Sequence, residues 1–181
     1  MSSVSSAARH ELLSHFEVAA RTAFATVERV PASAAALTAA AARIASGRTA
    51  IAEPLDLPAE FFSELGRLPG IVTARSKQEL ATCDFGITDA FAGVARTGSV
   101  CVTVDHGYAG VISLLSRTHI AVLSADTIVE RPADLFDARC VEGKGLQRNF
   151  VFITGPSATA DMGPLVRGVH GPHQLHIIIL E

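Results

Sequence analysis

The sequence lacks the residues that announce the commonest chemistries. Its 181 residues include three cysteines and no tryptophan. Cys83, Cys101 and Cys140 lie far apart with no CxxC pair, which disfavours a zinc ribbon or a resident iron–sulfur site. No metal is expected. An odd number of thiols suits a reducing cytosol, each thiol acting as a small buried hydrophobe, so a cytoplasmic location is expected. Aromatics are 6% of the chain, too few for base-stacking platforms. Fifteen basic residues face eighteen acidic ones, a net charge of -3, and no basic stripe points to nucleic acid. No run reaches the ~18 to 20 apolar residues that cross a bilayer. The first residues show no charged segment followed by an apolar one, so no secretory signal is expected. GxxxxGK[ST], GxGxxG and GxSxG are all missing, leaving a P-loop, a dinucleotide fingerprint and a nucleophile elbow without support.

What is present is a core. Hydrophobic residues make up 49% of the chain, enough for one sizeable domain. Residues 1–24 read as an N-terminal helical segment and residues 25–181 as a single α/β domain. Leu12, Leu13, Phe16 and Ala20 recur at helical spacing over residues 7–22. Ser33 suits the N-cap of an alanine-rich helix ending near Ser46, with Gly47 as its stop. Short strands and helices alternate up to Cys83. From Asp84 onward β character dominates, with a hairpin turning at Thr97-Gly98-Ser99, a helix over residues 109–115 and a buried strand over residues 118–123. The expected fold is a three-layer α/β/α sandwich with a mixed sheet, plus the N-terminal helix.

The densest polar and glycine-rich stretch follows the apolar run starting at Phe150. Gly155-Pro156-Ser157-Ala158-Thr159-Ala160-Asp161 reads as a sharp turn into a short helix. Amides and hydroxyls at such a start favour a small anion, a carboxylate or phosphate. The alternative is that Ser157 or Thr159 merely caps the helix. Gly168-Val169-His170-Gly171-Pro172 makes a second turn before the closing strand. His170, between two glycines, suits a hydrogen bond to a ligand or a proton transfer, or simply a bond to a backbone carbonyl. His170, His173 and His176 recur every third residue, but no carboxylate or cysteine at matching spacing completes a metal site. Asp105-His106 fits an acid–base pair or a solvated turn. The hydroxyls of Thr97 and Ser99, around Gly98, would face whatever sits over the strand ends, or form a plain hairpin turn.

Taken together, Gly86-Ile87-Thr88, Gly93-Val94-Ala95-Arg96-Thr97-Gly98-Ser99, Thr118-His119-Ile120-Ala121-Val122, Ile153-Thr154-Gly155-Pro156-Ser157-Ala158-Thr159-Ala160-Asp161 and Gly168 to Pro172 resemble the LUD-domain family, in order and with family-like spacing. The resemblance implies a fold like the NagB/RpiA/CoA-transferase group. It also implies a part in oxidising L-lactate to pyruvate beside two iron–sulfur partner subunits, which would carry the clusters while this chain binds no cofactor. It points to a pocket with Thr97, Gly98, Ser99, Gly155, Pro156, Ser157, Thr159, Gly168 and Gly171 binding a small anion, and with His170 and Asp161 as catalytic candidates. Arg96 stands where the family has an acidic residue, Ser99 replaces a threonine, and Ala158 stands where an arginine often follows the serine. Two other readings are a non-catalytic assembly subunit and an acyl- or CoA-handling enzyme on the same scaffold.

Overall fold

The computed structural model describes residues 6–72, 76–104, 107–136, 149–160 and 163–181. In chain order the main elements are α1 (Ser6–Thr22), β1 (Thr26–Val30), α2 (Ala34–Ile44), β2 (Thr49–Ile51), α3 (Ala59–Phe62), β3 (Ile71–Val72), α4 (Lys77–Leu80), β4 (Phe85–Ala90), β5 (Ala92–Val94), β6 (Ser99–Thr103), α5 (Ala109–Leu115), β7 (Thr118–Ser124), β8 (Ile128–Val129), β9 (Phe150–Ile153), β10 (Ala158–Thr159), β11 (Val166–Arg167) and β12 (Gln174–Leu180).

β7 and β12 carry the apolar runs Ile120–Leu123 and Ile177–Leu180, as strands covered on both faces do. They pair in parallel at the centre of a six-stranded sheet of order β1-β12-β7-β4-β2-β3, in which every pairing is parallel. A four-stranded sheet of order β8-β5-β6-β9 is mixed, with β5 parallel to β8 and β6 antiparallel to both β5 and β9. β10 and β11 form a separate antiparallel pair.

Strand alternation builds the layers. Leu175, Ile177 and Ile179 of β12 pack with Phe16 of α1, Ile112 of α5 and Val100 and Val102 of β6. Ile178 and Leu180 point the other way, against Leu37 of α2 and Phe62 of α3. Each such large side chain contributes ~1.5 to 3 kcal/mol on burial. Gly86 lets α5 lie close on β4, because a Cβ there would sit 2.0 Å from Ser116 Oγ. A third cluster, around Ala92, Val94, Cys101 and Leu135, covers the outer side of the second sheet. No helix among the described residues is long and apolar enough to cross a membrane.

Several local expectations hold. Ser33 caps α2, its Oγ accepting from the Ala36 amide at 3.2 Å, and the hairpin turns at Gly98 with φ +66. Two need correction. α2 ends at Ile44 with an extended Ala45 rather than a left-handed Gly47; Gly47 serves contact, since a Cβ there would sit 2.9 Å from Asp84 Oδ2. After Gly155 and Pro156 the chain forms no helix among the described residues. It forms an antiparallel ribbon, Ala158 opposite Arg167 and Thr159 opposite Val166. Ser, Thr and Asp side chains bond backbone amides in turns as readily as at helix starts, and residues 157–160 have no apolar stripe to hold a helix down.

At the carboxyl end of the parallel sheet, where ligands of such folds commonly sit, the chain uses a carboxylate of its own. Asp89 is 3% exposed, and its Oδ2 accepts the amides of Leu55, Asp56 and Leu57 at 2.8, 2.6 and 3.0 Å. Burial pushes its pKa up and the amides pull it down, burial prevailing. Asp56 in turn accepts a hydrogen bond from Thr103 Oγ1 at 2.9 Å, tying this loop to β6.

Candidate functional site

A cleft of about 680 Å³ opens on the opposite side, at the amino ends of β7 and β12. One wall is α5, through Val111, Leu114 and Leu115; the other is β9, through Val151, Phe152 and Ile153. Residues 154–157 and His170, Gly171 and Pro172 close one end, while Lys77 of α4 supplies a cation at the edge. His119 of β7 and Leu175 of β12 line it from the sheet.

The structure therefore brings Gly155, Pro156, Ser157, His170 and Gly171 to one place, as their sequence neighbourhood suggested. The Ser157 amide donates to the Pro172 carbonyl at 2.9 Å, and the Gly168 amide to the Ser157 carbonyl at 2.8 Å, so the two turns are laced together by backbone. Gly171 lies against Ser157: a Cβ there would be 3.1 Å from Ser157 Cβ. Thr97 and Gly98 do not reach the cleft. Ser99 is buried behind it, in a chain of hydroxyls in which Thr97 and Ser99 share a bond of 2.7 Å and Ser99 and Thr154 another of 2.7 Å. Thr159 lies on the ribbon, and Gly168, at φ +78, lies under the His173 ring. Asp161, Cys140, Asp105 and His106 lie outside the described residues. Arg96 borders a separate groove with His15 and Glu130, and Ala158, exposed on β10, does not line the cleft.

The glycines of the two motifs have a shared task. A Cβ on Gly98 would lie 2.1 Å from the Ala20 nitrogen, and one on Gly155 1.9 Å from the Ala23 carbonyl oxygen. Both turns thus press against the last turn of α1. That helix ends in a Schellman arrangement, Ala25 N bonding Ala20 O and Phe24 N bonding Arg21 O, both at 2.9 Å. The left-handed position, usually glycine, is held by Phe24 at φ 67. Its exposed ring carries the Arg167 guanidinium at 4.3 Å, which ties β11 to the same helix end.

Three histidines that recur in the sequence part company in space. His170 is exposed at the cleft, and His173 packs on Gly168. His176 bonds Thr26 Oγ1 at 2.5 Å and Glu28 Oε1 at 3.2 Å beneath α2; burial holds its pKa down, against the pull of Glu28. Among the described residues no group of three or more His, Cys, Asp or Glu is placed to hold a metal ion. Cys83 and Cys101 are buried singly, and burial pushes the Cys101 thiol up to about 12.

The residue that sequence reasoning passed over is His119. Its exposure is 0%, its Nε2 lies 2.9 Å from Thr88 Oγ1, and its Nδ1 has no hydrogen-bond partner among the described residues. Burial lowers its pKa to about 4, so the ring is neutral at pH 7. The available signal was a histidine directly before the apolar run Ile120–Leu123. The unfolded chain takes up a proton near 6.5 and the folded one only near 4, so this contribution to stability is complete above pH 6.5 and is lost as pH falls towards 4, by about 3 kcal/mol. Urea unfolding at pH 7 and pH 4.5 should show His119→Leu losing about 2 kcal/mol less than the wild type between the two pH values. Equal losses would contradict it.

Comparison with known proteins places this arrangement. The LUD domain matches residues 65–180, which carry the cleft. Lactate utilization protein C of Shouchella clausii is 34% identical over 110 residues, 59% of this chain and 48% of that protein. Lactate utilization protein B of Bacillus pumilus is 25% identical over 119 residues, 63% of this chain and 24% of that protein. The match thus spans about half of the first relative's length and about a quarter of the second's. A crystal structure of a DUF162 family protein from Deinococcus radiodurans superposes with a TM-score of 0.69 at 24% identity, covering 96% of this chain and 98% of that one, a likeness of fold. With the family match extending through both glycine turns and the strands that carry them, the chain belongs to the LUD domain family.

Proposed function

We propose that the chain is a component of L-lactate utilization, oxidising L-lactate to pyruvate together with two iron–sulfur partner subunits. Its part is to bind a small anion, a carboxylate or phosphate, at the end of the cleft made by residues 155–157 and 170–172. The observation that carries this reading is the meeting of Ser157, His170 and Gly171 in one cleft with Lys77 at its edge, in a family whose relatives include proteins named for lactate utilization. Lys77 supplies charge, the Ser157 hydroxyl supplies a donor, and His170 bonds the substrate hydroxyl. Asp161, the second catalytic candidate of the motif, is assigned to orient the site. In this reading the clusters belong to the partners; the two described cysteines, Cys83 and Cys101, are buried apart.

Ser157 is half-buried and His170 exposed, so their truncation leaves the fold intact. In cells carrying only the variant gene, His170→Ala and Ser157→Ala should each abolish growth on lactate and leave growth on glucose unchanged, with melting points within about 2 °C of wild type. Full growth on lactate of both variants would refute the site.

One observation favours the assembly reading as well. Leu165, Val166 and Val169, on and beside the ribbon, are each about half exposed, and clustered apolar surface of that kind marks partner contacts. Copurification with iron–sulfur partners, without any lactate-dependent rise in melting point, would favour a purely assembling role.

A further inference from the structure

A three-carbon acid occupies only a small part of a cleft of about 680 Å³, a size that encloses drug- and cofactor-sized ligands. The remainder is walled by aliphatic and aromatic side chains. Two of them, Leu114 at 59% and Phe152 at 42% exposure, are large apolar groups left open to solvent. Behind them lies the buried His119 ring, whose Nδ1 has no hydrogen-bond partner among the described residues.

We propose that this apolar part of the cleft binds an uncharged carbonyl compound with an apolar body, a ketone or a quinone, whose oxygen meets Nδ1 of His119. A buried polar atom without a partner costs free energy, and a ligand group that bonds it recovers that cost. The ring is neutral, so a carboxylate, phosphate or ammonium at this depth would lose its hydration without gaining an opposite charge. Among uncharged groups the Thr88 hydroxyl widens the choice in a particular way. When it donates to Nε2, Nδ1 carries the proton and binds a carbonyl oxygen; when it accepts from Nε2–H, Nδ1 is an acceptor and binds a hydroxyl. The same pair therefore accommodates a carbonyl compound and the alcohol or quinol formed by its reduction. Carbonyl binding at His119 goes beyond lactate utilization and is independent of it, since no acid enters the experiment.

Binding of 2-octanone, duroquinone and octane is compared by equilibrium partition. The wild type should hold 2-octanone or duroquinone about threefold to tenfold more tightly than octane, the margin of one buried hydrogen bond. His119→Leu should erase that preference while still binding octane, and Leu114→Glu, at an exposed wall position, should weaken all three. Duroquinone binding without 2-octanone identifies a quinone site, and the reverse a ketone site. The proposal is overturned if the wild type binds octane as tightly as both carbonyl probes, if the preference survives in His119→Leu, or if no probe binds. The wild-type comparison decides the matter by itself should the His119 variant fail to fold.

Discussion

Replacing Asp89 by alanine should destabilise the protein by about 3 to 5 kcal/mol, since it strands three amides at once. Oδ2 of Asp89 is the acceptor for the backbone of Leu55, Asp56 and Leu57, and each unmet buried donor costs about 1 to 3 kcal/mol. Leu57 is buried while Leu55 and Asp56 are half-buried, so water relieves part of the loss at two of the three. A chain of this size should melt roughly 10 °C lower. Loosening the loop also frees Asp56 from its register against Thr103, so hydrogen exchange should rise in β6 as well as in residues 55–57. Asp89→Asn keeps an acceptor of the same shape without the charge and should lose about half as much. A urea midpoint for the alanine variant indistinguishable from wild type would show that the loop is held by other means.

Gly155→Ala should be nearly as damaging, by about 3 kcal/mol. A Cβ at φ +68 costs ~1 to 2 kcal/mol on backbone grounds, and this one would also overlap the Ala23 carbonyl oxygen at 1.9 Å. Gly98→Ala meets the same helix one turn earlier, at Ala20. If both press on one rigid helix end, displacing it once serves for both. The double variant should then lose about 1 kcal/mol less than the two single losses combined. Strict additivity in a double-mutant cycle would mean that the two contacts are independent.

Much of this was legible in the sequence because it rests on local chemistry. The two central strands show as the apolar runs Ile120–Leu123 and Ile177–Leu180, Ser33 shows as a cap, and Gly98 shows as a turn. The ribbon after Gly155 was not legible, because hydroxyl-rich residues satisfy amides in either conformation and only pairing with Val166 and Arg167 decides between them. The site was half legible. Gly155, Ser157, His170 and Gly171 stand in two short motifs that the fold joins by backbone bonds. Lys77 and Leu114 reach the cleft through packing of α4 and α5 that no local pattern encodes. His119 looked like one more motif residue until burial and an unmet Nδ1 set it apart. Gly98 looked like a ligand contact, although its smallness is required by a helix some eighty residues earlier in the chain.

That helix end bears on how the family is bounded. Sequence similarity marks residues 65–180, yet β2 lies between β4 and β3 in the sheet, β1 covers the outer edge of β12, and the last turn of α1 supports both glycine turns. The unit of inheritance visible in the sequence is therefore smaller than the unit of folding. A relative that shares only the matched region must supply, from elsewhere in its chain or from a partner, a strand to fill the place of β2 and a surface to back Gly98 and Gly155. Searching relatives for those two substitutes, rather than for further identity, would trace how this cleft has passed between proteins of different length.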